Sequence, residues 1–402
     1  METVSRRAWL WIAFVLVHLA VAASGFVWPT QPMGDLSIAY GPWARQALTG
    51  GGIPGIAADW VYPQLAIVPM VVVQTWADLF GGYEIAWAIL VTLCDALAFA
   101  LLIGSARSKG RVLAAWFWLA FAVALGPVGM YRIDALTVPL AIAGCLWLVG
   151  RPVLASALLA IGTWIKVWPA ALLLTALIVV RRRLAVFTGA AVTTAVVLFG
   201  ILALGGITHA LGFVGGQTGR GLQLEAPVSA YLLWRVVFRM PDSAIVYDQA
   251  LNTLQVQGPG AEVVSAVMTP LLFVVLAAVA ALGAVKAVRG ASFVRLFPPL
   301  ALAVTLGFIV LNKVGSPQFQ VWLIAPLVLA LAIDRRRWRG FAVAALATAL
   351  LTQFVYPLTY LGVMYAEPGP VAILTARNLL LVALFVWSVV ELARVRRPSS
   401  IL

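Results

Sequence analysis

The stretch VYPQLAIVPMVVVQTWADLF, Val61 to Phe80, decides how this chain is threaded. Twenty mostly apolar residues are long enough to cross a ~30 Å hydrocarbon core as a helix. The run nevertheless carries Pro63, Pro69 and Asp78. If it crossed, Arg107, Lys109 and Arg111 would land on the opposite face from Arg6 and Arg7, and every later basic cluster would flip with them. We therefore expect 61–80 to be a juxtamembrane or re-entrant helix within an external loop, 29–82, leaving and returning on one side.

The rest of the composition gives that expectation its setting. The 402 residues are 63% hydrophobic and only 10% charged, with a mean hydropathy of +1.03. Apolar runs recur from end to end, so the expected class is all-α and polytopic, one integral membrane domain over 1–402. No soluble domain is expected at either end. The first run, Ala8 to about Trp28, is too long for a signal-peptide core and lacks a clear small-x-small cleavage site, so it reads as a retained span. Cys94 and Cys145 fall inside apolar runs and support neither a disulfide framework nor a metal cluster.

The net charge of +13 excludes nothing by itself, but its distribution does. Nineteen of the 27 Lys and Arg fall in short clusters: Arg6/Arg7, Arg107/Lys109/Arg111, Arg151, Arg181–Arg183, Lys286/Arg289/Arg295, Arg335–Arg337 with Arg339, and Arg394/Arg396/Arg397. Clusters between spans are the positive-inside signature; they set topology and do not recruit nucleic acid. Taking them as cytoplasmic predicts about twelve crossings: 8–28, 83–104, 113–126, 135–149, 152–165, 168–180, 184–204, 263–285, 296–312, 318–333, 341–361 and 372–391. Both termini are then inside, and two large external segments remain, 29–82 and 205–262.

The polar residues without a cytoplasmic role gather on the other face, and an ionisable group at a membrane boundary is by default a functional candidate. Asp35, in Gly34-Asp35-Leu36, reads as a helix N-cap for 36–48 or as a general base, since a carboxyl near hydrocarbon tends to hold a proton. Asp59 reads as a second site carboxylate, a ligand, or an N-cap for 61–80. Arg132 and Asp134 form either a local ion pair or part of a charged pocket. Lys166, in Lys166-Val-Trp-Pro169, sits where 152–180 breaks into two short helices, a pattern of substrate sites inside membranes. The alternative there is one long kinked helix with Lys166 snorkelling. Arg220, flanked by Gly219 and Gly221, offers a fork matching phosphate oxygens and leads through Glu225 into a helix over 227–238. Lys313 precedes the turn Gly315-Ser316-Pro317, after which Gln318 and Gln320 would meet sugar hydroxyls or bond across helices. His18 and His209 have no second ligand at useful spacing and read as structural.

Read in order, Asp35, Tyr62-Pro63, Arg132-Ile-Asp134, Lys166-Val-Trp-Pro169, Arg220-Gly-Leu-Gln-Leu-Glu225 and Lys313-Val-Gly-Ser-Pro-Gln318 resemble the actinobacterial polyprenyl-phosphate-mannose-dependent mannosyltransferases of glycosyltransferase family 87, in the GT-C superfamily. The resemblance covers roughly 8–340. It implies a GT-C fold in the cell membrane, a polyprenyl-phosphate-mannose donor, and transfer to a glycolipid or glycan acceptor outside the cytoplasm with inversion. It implies Asp35 as base and Arg132, Lys166, Arg220 and Lys313 around the donor phosphate. Asp59, Tyr62, Asp134, Glu225, Gln318 and Gln320 are left to the substrates. No cofactor is required, and a divalent metal is left open. The chain departs from the pattern at Val61 and Gln64, where relatives often carry an acid before Tyr-Pro-Pro; Asp59 lies two positions away. The rival class is a transporter or flippase of lipid-linked sugars, disfavoured because polar residues line one face only and no paired repeats are visible. A polymer ligase or lipid-binding scaffold is a third reading, and would not need Asp35.

Overall fold

The structure is a computed structural model that describes residues 5–218, 220–249 and 253–396; Gly219 and Arg397 of the motifs above lie outside the described residues. It is an all-α, multi-pass membrane protein. Eight helical stretches among the described residues are long and apolar enough to cross a membrane. They are α1 (Arg6–Val27), α4 (Tyr83–Ile103), α5 (Lys109–Leu125, continued to Gly129), α9 (Arg183–Ala203), α12 (Ala261–Val288), α13 (Phe293–Val310), the stretch Pro317–Leu358 containing α14 (Ile324–Gln353), and α16 (Pro368–Ala393). Shorter apolar helices are α3 (Ile67–Phe80), α6 (Asp134–Trp147), α7 (Pro152–Ile165) and α8 (Ala170–Val179). The small helices α2 (Gly41–Leu48), α10 (Gly212–Thr218), α11 (Ala230–Val237) and α15 (Tyr360–Met364) lie in the connections.

The stretch Pro317–Leu358 is not one rod. Asp334 leaves helical geometry (φ −141°, ψ 82°), and its carboxylate accepts from the backbone N–H groups of Arg336 and Arg337. A side chain that satisfies orphan amides two and three residues on is starting a new helix. Segments 324–333 and 336–353 are therefore two arms joined at Asp334.

Burial separates centre from rim. α13 and the first arm of α14 are almost wholly buried, surrounded by α5, α6, α8 and α16. α9 and α12 are apolar yet expose Leu184, Val196, Phe199, Phe273 and Val274. Such a surface is stable only against lipid.

The helix ends sort into two groups. At one end Lys286 donates to the carbonyl of Val395 (3.0 Å) and Arg337 pairs with Glu391 (2.7 Å). Gly110 there passes so close to Ala332 that a Cβ would sit 2.7 Å from its carbonyl oxygen. At the other end the connections that hold the polar motifs meet. Tyr131 donates to Ala22 O (3.0 Å) and Trp87 to Met130 O (3.0 Å). Thr30 donates to Pro357 O (2.7 Å).

In the segment 205–262 the structure adds an element not anticipated from sequence, an antiparallel hairpin of β1 (Ala244–Asp248) and β2 (Thr253–Gln257), pairing Ala244 with Gln257 and Asp248 with Thr253. Its edge is covered by the chain at 222–224: Val256 N–H donates to Leu222 O (2.9 Å) and Leu224 N–H to Leu254 O (3.0 Å). The edge left unpaired by two strands is thus closed by a loop of the same chain.

This sorting yields a direct expectation. In a background with Cys94 and Cys145 replaced by serine, a membrane-impermeant maleimide added to intact cells should label only one of Thr208→Cys and Ser292→Cys, and both once the cells are permeabilised. Labelling of both in intact cells would contradict the arrangement.

Candidate functional site

The site is built where six connections meet, and its centre is a carboxylate with no exposure. Asp134, at the first turn of α6, is 0% exposed. One oxygen accepts from the indole N–H of Trp322 (2.7 Å); the other lies 3.4 Å from Lys166 Nζ. Lys166 stands at a true break: α7 ends at Ile165, Lys166 is extended (φ −151°, ψ 134°), and α8 begins at Ala170. The single kinked helix with a snorkelling lysine is not what forms. The ammonium also lies 4.5 Å from the centre of the Tyr62 ring, a cation–π contact that delivers Tyr62 from the first external loop to the same point.

Asp35 is next to it. The N-cap reading fails, because Asp35 is itself αR, makes no capping bond and precedes an irregular turn, Leu36–Tyr40. Its carboxylate instead pairs with Arg132 (2.5 Å), while more than a third of the side chain stays exposed (36%). Arg132 therefore does not pair with Asp134, two residues on; each takes a partner from a distant segment. Arg132 also donates to the Tyr356 hydroxyl (3.3 Å), and its buried Nε has no partner among the described residues. Burial works against the Arg132 charge, but Asp35 and Tyr356 outweigh it and raise its pKa.

Two tyrosines close the space between these pairs. The Tyr40 hydroxyl accepts from Ile133 N–H (3.2 Å) and lies 3.4 Å from the Tyr62 hydroxyl and 3.5 Å from Asp35. Burial raises both phenols above their ordinary range, so they remain neutral donors at any physiological pH.

The last two motifs are locked to each other. Gln223 N–H donates to Lys313 O (2.9 Å), and the Gln223 side-chain oxygen accepts from Gly315 N–H (3.1 Å). A Cβ on Gly315 would lie 2.3 Å from the backbone of Glu225 and Ala226, so only glycine lets the two loops cross. Ser265 donates to Arg220 O (3.0 Å) and lies 3.5 Å from Lys313 Nζ, bringing the two cationic residues to one seam. Burial lowers the Arg220 pKa, with Tyr62 and Asp248 working the other way. Glu225 turns inward: it is buried, accepts from the Tyr360 hydroxyl (2.6 Å), and its carbonyl accepts from Arg377 (3.1 Å). Burial raises the Glu225 carboxyl, against the pull of Tyr360 and Arg377.

Three sequence candidates stand apart from this cluster in their contacts. Asp59 pairs with His209 (2.7 Å), so His209 has a partner that its spacing in sequence did not reveal. Gln320 is buried and accepts from Thr348 in α14 (3.0 Å). Gln318 is partly exposed at the turn. His18 likewise pairs with Asp95 (3.2 Å), between α1 and α4. The residues sequence reasoning missed are Tyr40, Trp322, Tyr356, Tyr360 and Arg377. Only Arg377, a cation within an apolar run, carried a signal that flagged it.

Chemically the arrangement is a partly open carboxylate beside a guanidinium with a spare donor, an ammonium and two phenols. Among the described residues no group of three or more His, Cys, Asp or Glu is placed to hold a metal ion. Asp35 and Asp134, the carboxylates of the centre, are already matched by Arg132 and Lys166 and do not form an oxygen cage of the kind hard cations take.

Residues 60–221 match the model of glycosyltransferase family 87. The match covers less than half of the chain and includes Tyr62, Arg132, Asp134, Lys166 and Arg220 but not Asp35, Glu225 or Lys313. The match supports glycosyltransfer by a membrane protein. No curated protein and no solved structure matches the chain.

Asp134→Ala should leave Lys166 as an uncompensated buried charge and cost ~3–5 kcal/mol, while Asp134→Asn, which keeps an acceptor for Trp322, should cost less. Thermal unfolding in detergent reads both. Equal losses would show that the charge pair is not what Asp134 contributes.

Proposed function

We propose that the chain is a membrane glycosyltransferase that takes a sugar, mannose foremost, from a polyprenyl-phosphate donor and places it on a hydroxyl of a glycolipid or glycan outside the cytoplasm. The observation that carries this is the pairing of a solvent-reached carboxylate, Asp35, with Arg132, whose buried Nε is unused. The family match over 60–221 and the order of the motifs support it.

In the reaction an acceptor hydroxyl attacks the anomeric carbon from the face opposite the phosphate. The new C–O bond forms as the bond from the anomeric carbon to the phosphate oxygen breaks, and the hydroxyl proton passes to Asp35. Polyprenyl phosphate leaves as an anion and requires no acid, so one carboxylate suffices where a glycosidase uses two. Arg132 and Lys166, with Arg220 and Lys313 at the seam, stabilise the charge growing on that phosphate in a poorly solvated cleft. Arg132 contributes its charge while held by Asp35 and Tyr356. Tyr62 and Asp134 shape the substrate space with Glu225 behind them, and Asp59 lies on the acceptor side; Gln318 and Gln320, which stand apart from the cluster in their contacts, are given no substrate role.

The threading we propose has twelve crossings in the plasma membrane, with 1–402 working as one domain and the site facing outward. It counts α6, α7 and α8 as short crossings, counts the two arms of α14 separately, and keeps α3 on the outer side. In support of the last, α3 has 14 residues, about 21 Å, short of the ~30 Å core. Tyr83, just past its end, also donates back to Met70 near its start.

In proteoliposomes with radiolabelled polyprenyl-phosphate-mannose and a total lipid extract, wild type should transfer label and Asp35→Asn should lose at least ~10²-fold, the usual scale for a general base. Retained transfer in that variant would refute the base assignment. Movement of donor between leaflets without transfer by either protein would favour a flippase. Burial lowers the Lys313 pKa. Its charge, present at low pH, should therefore be lost earlier than for an ordinary lysine as pH rises, and the KM for donor should climb on that limb. Lys313→Arg should move the limb to higher pH; an unmoved limb would remove Lys313 from phosphate binding.

A further inference from the structure

Beside the charged cluster, on the same end of the bundle, lies a second cleft of ≈ 530 Å³ lined by Trp43, Asp59, Trp60, Thr208, Leu211 and Gly212 among others. That volume is within the ~300–1,000 Å³ range of small-molecule sites. Two indoles form a corner in it: the rings of Trp43 and Trp60 stand at 88° with centres 5.3 Å apart. Trp60 is only 7% exposed, yet its N–H has no partner among the described residues. Asp59 opposes the corner with 71% of its side chain exposed, held by His209 at 2.7 Å. Gly212 permits that placement, since a Cβ there would meet the Asp59 carboxylate at 2.6 Å.

The lining selects among ligands. A prenyl chain would leave Asp59 and Thr208 against hydrocarbon, which is costly. An anion would meet the Asp59 carboxylate, and a cation would compete with His209. A saccharide ring satisfies the whole set, with C–H faces for the indoles and hydroxyls that both accept and donate. The cleft also leads to the reaction centre. Trp60 packs edge-on against Tyr62 (5.4 Å), and the Tyr62 hydroxyl is 3.4 Å from that of Tyr40, which reaches Asp35.

We propose that the Trp43–Trp60–Asp59 cleft is a saccharide subsite that holds the non-reacting sugar rings of the acceptor while its terminal hydroxyl reaches Asp35. The acceptor then carries a glycan of two or more rings, and is not a bare lipid alcohol. This rests on the transferase reading above for its role, but the binding site stands apart from it.

The test uses the full chain in detergent with octyl glycosides of one, two and three hexoses. With labelled donor, wild-type kcat/KM should rise at least tenfold from one ring to three, and the three-to-one ratio should fall to near unity in Trp43→Ala and be cut severalfold in Asp59→Ala. A flat ratio in wild type, or a ratio unchanged in both variants, overturns the subsite while leaving the transferase reading intact. If wild type transfers to no acceptor, the parent reading fails. Equilibrium binding of the free trisaccharide then decides the subsite alone: binding weakened roughly tenfold by Trp43→Ala, the scale of losing one aromatic anchor, supports it. No saturable binding by wild type, or binding that Trp43→Ala leaves unchanged, overturns it.

Discussion

Everything at the polar end hangs on one buried charge pair. Asp134 cannot be ionised and unexposed without a cation, and Lys166 cannot be held near hydrocarbon without an anion, so each is the condition for the other. Their meeting fixes the helix break at Lys166 against the start of α6, and the indole of Trp322 ties in the segment that precedes α14. Three chain segments are registered by three groups. Tyr62 then docks on the Lys166 ammonium, and with it the first external loop.

Around that pair the remaining groups are arranged by exclusion. With Asp134 taken by Lys166, Arg132 is left to Asp35 and Tyr356. With Glu225 drawn inward by Tyr360, the Arg220 loop is held by backbone contacts with the hairpin and with the Lys313 loop. The centre thus mixes fully matched charges, which hold shape, with one carboxylate that solvent reaches. A preorganised polar site of this kind needs little rearrangement when charge develops on a ligand.

Much of this architecture was legible in the sequence because membranes impose coarse rules. Apolar runs marked the helices, and the Lys166 break and the Asp35 and Arg132 positions stood out as ionisable groups at boundaries. What sequence did not reveal were the partners. Arg132 and Asp134 are neighbours in the chain, and of their two readings, a local ion pair or part of a charged pocket, the local pair does not form: each bonds across a large separation. An N-cap was one reading of both Asp35 and Asp59, but Asp35 makes no capping bond and their partners are Arg132 and His209 on other segments. Tyr356, Tyr360 and Trp322 were invisible because interfacial aromatic residues are common in any membrane protein. The hairpin of β1 and β2 was missed because its strands are short and only half apolar, and the segment that covers one edge, 222–224, belongs to the glycine-rich loop itself.

The shortness of α7 and α8 has a consequence of its own. With 14 and 10 residues they measure about 21 and 15 Å. On the proposed threading, Lys166 therefore sits well below the outer edge of a ~30 Å core. The bilayer must thin around these helices or water must reach down to them, at a modest cost that grows with each ångström of mismatch. The depth of the polar end is then a property shared between protein and lipid, and bilayers of longer acyl chains would bury it further from the aqueous phase.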